Sequence, residues 1–165
     1  MRPLPVRRHN ITLITPSRIP GMTLSYLNQL LDVDPLSWSA VTIEASDGRM
    51  AIIYNPEHSP ARQESDLAHE VAHLLCKHKP TELVRMDGLP FPLRTFDPDQ
   101  EEEANWLCGC LKLPRPALIW ALRRGMTDAD IVDYFGVSLE LAIYRKNITG
   151  VHRQLSAARR RRYTR

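Results

Sequence analysis

Two histidines four residues apart, His69 and His73, with Glu70 beside the first, restrict what this chain can fold into more than any other feature. In a helix, positions i and i+4 stand one turn apart on one face, so both imidazoles can reach one metal ion while Glu70 stays next to it. The surrounding stretch, Ala61 to His78, reads as a helix without help from the motif. Ser59 can accept from the first free backbone N–H groups, Pro60 suits the first helical position, and Pro80 blocks continuation past Lys79. Leu67, Val71, Leu74 and Leu75 supply an apolar stripe, and Ala68 and Ala72 let another element approach closely. The chain's own stock of His and Glu would produce H-E-x-x-H by accident about 0.01 times. The plain alternative is a pair of core histidines satisfied by backbone carbonyls.

A metal bound by two imidazoles needs a third protein ligand, and the expected source is the next strong helix. Asp97 is a good N-cap, Pro98 fits the first turn, Gln100 completes a capping-box-like start, and Pro114 ends a helix running from Asp99 to about Leu111. Glu101, Glu102 and Glu103 follow one another there, and an acidic first turn is favoured by the helix dipole whatever else it does. At 100° per residue Glu103 shares a face with Trp106, Leu107, Cys110 and Leu111, whereas Glu101 lines up with Ala104, Asn105 and Cys108. A carboxylate on the bulky apolar face needs a partner, because a lone buried charge is strongly disfavoured. The sequence therefore predicts a zinc site (Zn2+) made by His69, His73 and Glu103. A fourth position is left for water, as in catalytic zinc, and Glu70 is the general base. A Glu103 lying far from both imidazoles would undo this reading. The group that steadies the developing oxyanion stays open among Tyr54, His78 and Arg62.

The rest of the chain supports a single globular unit of 165 residues, 43% hydrophobic and 25% charged, which needs no disulfide framework. Three cysteines, an odd number without C-x-x-C spacing, are expected to be reduced core residues. No run approaches 18 apolar residues and the start is basic and Pro-interrupted, so neither a membrane span nor a secretion signal is expected, and the compartment predicted is the cytoplasm.

Residues 1–20 read as a loosely attached arm with one β-like run, Ile11 to Ile14. Met22 to Leu31 reads as an amphipathic helix ended by Asp34-Pro35. Val41 to Ala45 and Met50 to Tyr54 read as a hairpin about Asp47-Gly48, stopped by Asn55-Pro56. Lys79 to Phe96 reads as loop. Beyond 115, helices are expected at Pro116 to Arg124, after Thr127, and at Leu139 to Lys146. This gives an α+β fold in which a small antiparallel sheet packs on a helical zincin (gluzincin-like) core. The arm is 1–20, the core 21–115, the helix-turn-helix-like part 116–150 and the basic tail 151–165.

The stretches Asn55-Pro56, Leu67-Ala68-His69-Glu70-Val71-Ala72-His73-Leu74-Leu75, Glu101-Glu102-Glu103-Ala104-Asn105-Trp106 and Leu111-Lys112-Leu113-Pro114 together resemble the ImmA/IrrE family of metallopeptidases over about residues 40–145. The resemblance implies that His69, His73 and Glu103 match the zinc ligands and Glu70 the catalytic glutamate. It also implies that the substrate is a protein, a helix-turn-helix transcriptional repressor cut during regulation of a mobile element or a stress response. Arg62-Gln63-Glu64-Ser65-Asp66 and Cys108-Gly109-Cys110 depart from the family pattern.

Charge divides the chain. Residues 1–111 hold 10 Lys/Arg against 15 Asp/Glu, net −5, while residues 112–165 hold 12 against 4, net +8. Helix, Gly-containing turn and capped helix outline a helix-turn-helix, but the last helix opens without the Asn, Gln or Arg that read bases, so packing or protein docking is favoured over DNA reading. Ala157 to Arg165 reads as a disordered tail capable of weak, salt-sensitive contact with nucleic acid. The rival functions are a DNA-binding regulator with structural zinc and an interaction protein of toxin or antitoxin type on a peptidase scaffold.

Overall fold

The computed structural model describes residues 11–44, 48–79, 82–84, 93–95 and 97–163, apart from the side chains of 83, 84, 93, 94 and 158–163. Its sheet is built on strand β3 (Met50–Tyr54), with β1 (Thr12–Ile14) on one side and β2 (Ala40–Glu44) on the other. The continuous apolar run of β3 suits a central strand, and Ile52 and Ile53 are buried. Strand β2 pairs with it antiparallel, Thr42 opposite Ile52, as the hairpin pattern predicts. The turn residues 45–47 lie outside the described residues. Strand β1 pairs with β3 in parallel, so the sheet is mixed rather than antiparallel, and residues 12–14 of the expected arm belong to it. Asn55 ends β3 by being tied down: its amide donates to the carbonyls of Pro35 (2.5 Å) and Trp38 (2.9 Å), and its oxygen accepts from the N–H of Glu57 (3.0 Å).

The predicted helix after Gly21 is shorter than its pattern. Helix α1 (Leu24–Asn28), capped by Thr23, passes into a π turn over Gln29–Val33. The expected loop at 79–96 contains a short antiparallel pair, β4 (Glu82–Val84) with β5 (Leu93–Thr95). The residues between those strands lie outside the described ones.

Two long helices carry the site. Helix α2 (Pro60–Cys76) starts with Ser59 accepting from the N–H of Arg62, and α3 (Pro98–Lys112) with Asp97 accepting from the N–H of Gln100 at 2.9 Å. They pack through small residues: Ala72, Ala104 and Cys108 are buried, and Trp106 is 52% exposed. Helices α4 (Arg115–Arg123), α5 (Asp128–Phe135), α6 (Leu139–Thr149) and α7 (Val151–Tyr163) continue the same core with Leu118, Ile131, Val137, Ala142 and Val151. Helix α7 replaces the expected disorder at the basic tail up to Tyr163.

Two contacts fasten these helices to α2 and α3. The N–H of Ser138, the N-cap of α6, donates to Ser65 Oγ of α2 at 2.8 Å. Buried Arg145 of α6 crosses α3 at Gly109, where a Cβ would sit 2.3 Å from Arg145 Cδ, and its Nε donates to the Leu113 carbonyl at 3.1 Å. The glycine in Cys108-Gly109-Cys110 is thus a crossing point, and all three cysteines are free. No helix among the described residues is long and apolar enough to cross a membrane.

Candidate metal centre

Helix α2 puts His69 and His73 on the face it turns toward α3, and their Nε2 atoms are 3.0 Å apart. The carboxylate that meets them is Glu101: Oε2 lies 3.2 Å from His69 Nε2 and Oε1 lies 3.4 Å from His73 Nε2. A tetrahedral ion about 2.0–2.1 Å from each ligand requires ligand atoms about 3.3 Å from one another; the imidazoles are near that spacing, and the carboxylate presents one oxygen to each of them, so the three residues close on one point from three sides. The donor set also fits, since two imidazoles and one carboxylate are the ligands of catalytic zinc sites. The three residues form one of the two metal-competent groups among the described residues.

The expected ligand Glu103 is not in this group. Its side chain is 63% exposed and its Oε2 lies 3.1 Å from His78 Nε2. The face of α3 chosen for its bulk is the outer one, because α2 and α3 approach too closely for large side chains. The face carrying Glu101, Ala104 and Cys108 is inward. The condition that undoes the His69–His73–Glu103 reading is thus met, and the carboxylate the structure groups with the two imidazoles is Glu101.

Burial shapes the protonation of the cluster. His73, its side chain 3% exposed, has its pKa pushed down to about 4, first by loss of solvent and then by the neighbouring His69 and His78. It is neutral, as a ligand must be. Glu70 is buried, and loss of solvent raises its carboxyl above the ordinary carboxylate value. A hydrogen bond from Thr42 Oγ1 (2.5 Å) to its Oε2 and the nearness of His69 pull the other way. Thr42 anchors Glu70 to the sheet, a link between β2 and α2 that no local sequence pattern announces.

An open groove of about 530 Å³ runs past the cluster, between Ser39–Thr42 at the start of β2 and Ser138, Glu140, Leu141 and Tyr144 around the start of α6. His69, Glu70, Glu101 and Asn105 also line it. None of the three groups considered for the oxyanion, Tyr54, His78 and Arg62, lines it. Tyr144 does, and its buried hydroxyl has no hydrogen-bond partner among the described residues. Nothing in the sequence marked Tyr144, since its place in the groove depends on how α6 docks on α2.

The family model for peptidase M78, described as the IrrE N-terminal-like domain, matches residues 28–147. No curated protein and no solved structure matches the chain.

Proposed function

We propose, from the premise that this chain belongs to the ImmA/IrrE family of peptidases, that it is a zinc-dependent endopeptidase whose ligands are His69, His73 and Glu101 and whose general base is Glu70. The observation that carries this is the convergence of two imidazole nitrogens and the Glu101 carboxylate within 3.0–3.4 Å contacts, with a buried carboxylate one residue from the first imidazole. Zinc held there supplies Lewis acidity, polarising a carbonyl and bringing a water's pKa towards about 7. Glu70, destabilised as an anion by burial, is matched to take a proton from that water and return it to a leaving amine. Thr42 holds the carboxylate in position for both transfers.

The substrate suited to the groove is an extended protein segment laid along β2, with the metal cluster beside its backbone. Family resemblance supports a helix-turn-helix repressor as that protein and regulatory proteolysis as the purpose. The groove alone supports a polypeptide.

Base reading by α6 is the weaker alternative. The first turn of α6 is docked on Ser65 and lines the groove with Glu140, an acidic residue, instead of presenting cationic side chains outward. The +8 balance of residues 112–165 supports an accessory, salt-sensitive contact with nucleic acid through α7.

The test is to incubate wild type and Glu70→Gln with candidate repressors, with and without chelator. Glu70→Gln should keep its zinc and cut about 10²–10⁴-fold more slowly, the range for losing a general acid–base. Unchanged cutting by Glu70→Gln, or cutting that persists in chelator, refutes the proposal.

A further inference from the structure

Helix α2 ends in an uncommon way that brings a third histidine onto the cluster. Lys77 adopts a left-handed conformation (φ 58°). The N–H of Lys77 donates to the Leu74 carbonyl (3.3 Å) and that of His78 to the His73 carbonyl (3.1 Å), the paired bonds of a Schellman cap. The chain folds back, so the His78 ring meets the His73 ring edge-on with centroids 5.0 Å apart. His78 Nδ1 is then 2.9 Å from His73 Nδ1, and His78 Nε2 is 3.1 Å from Glu103 Oε2.

We propose that Glu103 and His78 form a relay that fixes the tautomer and orientation of His73, making Glu103 a positioning residue rather than a ligand; this rests on the metal-site reading above. An ionised carboxylate can only accept, so His78 must carry its proton on Nε2, donating to Glu103. The Nδ1 of a neutral His78 is then a lone pair, and it accepts from His73 Nδ1–H. His73 is left with its lone pair on Nε2, the atom that faces His69 Nε2 and Glu101. Each donor meets an acceptor, and the chain of bonds ends on the ligand atom. A carboxylate acting through imidazole in this way orients a ligand and raises its basicity.

A second use of the same groups competes with this one. The donor atoms of Cys76, His78 and Glu103 lie within 4.8 Å of one another and could hold an ion of their own. Such an ion would take the Nε2 lone pair of His78 and leave its proton on Nδ1, facing the Nδ1–H of His73 across 2.9 Å. That clash disfavours filling both sites.

The experiment is zinc competition with a chromophoric chelator, run on wild type, Glu103→Gln, His78→Phe and Glu102→Gln. Long-range ¹H–¹⁵N imidazole spectra report the tautomers, and circular dichroism confirms the fold of each variant. Wild type should bind one zinc, Glu103→Gln should bind about tenfold more weakly, and His78→Phe up to about 100-fold more weakly, the range for second-shell partners. Glu102→Gln, an equal change of charge next door, should match wild type. His78 should be protonated on Nε2 and His73 on Nδ1. The relay is overturned if Glu103→Gln and Glu102→Gln are indistinguishable while wild type binds one zinc, or if His78 is protonated on Nδ1. It is equally overturned if wild type binds a second zinc that Cys76→Ala removes. A wild type that binds no zinc instead overturns the metal site beneath it.

Discussion

Helices α2 and α3 bring together two trios of donor groups scarcely one turn apart, His69–His73–Glu101 and Cys76–His78–Glu103, and the two are not equivalent. The first points nitrogen and oxygen atoms at one another across 3.0–3.4 Å, opens onto the groove and has Glu70 beside it. The second sits at the capped end of α2, with its glutamate largely in solvent and its histidine already bonded to His73. On the reading proposed above, similar inventories of residues divide between holding an ion and steering one of its ligands. What separates them is direction and tautomer, which a list of metal-binding residue types does not contain.

The sharpest way to break that distinction is to remove one carboxylate at a time. Glu101→Gln should weaken zinc binding by more than about 100-fold, beyond the range for second-shell partners, and abolish hydrolysis with it. The reverse ranking, with Glu103→Gln the more damaging, would restore Glu103 as ligand. Equilibrium dialysis against zinc buffers measures both.

The misplaced glutamate marks where the sequence stops being informative. His69, Glu70 and His73 are legible because their relation is local: one helix, one spacing, with Ser59 and Pro60 marking its start. The start of α3 at Asp97-Pro98 is legible for the same reason. Which face of α3 turns inward is set by the partner helix. Ala104 and Cys108 meet Ala72 at close range, and that proximity excludes bulk and leaves Trp106 and Leu111 outside. A small-residue row on α3 opposite Ala68 and Ala72 was the available signal, and it points to Glu101. The parallel pairing of β1 and the docking of α6 that brings Tyr144 to the groove depend on contacts 39 residues (Thr12 with Ala51) and 73 residues (Ser65 with Ser138) apart in the chain. No local pattern encodes those distances.

Acid should separate the trios by a smaller effect. In the metal-free protein the folded-state pKa of His73 is pushed down to about 4, below the unfolded value of about 6.5. As pH falls through 6.5 the unfolded chain gains a proton there that the folded chain refuses, so this contribution to stability is whole above about pH 6.5 and is lost as pH falls towards 4. Urea midpoints of the apo protein should therefore drop over that window. His73→Gln should flatten the drop, whereas Glu103→Gln, which leaves the buried imidazole in place, should not. An identical slope in wild type and His73→Gln would show that His73 is not the group responsible.

The smallest effect tests the cap that makes the second trio possible. Left-handed backbone costs a residue with a Cβ about 1–2 kcal/mol, and glycine escapes most of this while losing more chain entropy on folding. Lys77→Gly should therefore raise stability by roughly 0.5–1 kcal/mol in denaturant unfolding. It should leave zinc affinity unchanged, because the two cap bonds are made by backbone and still carry His78 back onto His73. Lys77→Val, β-branched and strained in that conformation, should lower stability and free His78 to swing away, so that zinc affinity falls toward that of His78→Phe. Stability and affinity would then move together in Val and apart in Gly. That pattern is expected only if the bend at Lys77 is what presents His78 to the metal ligand.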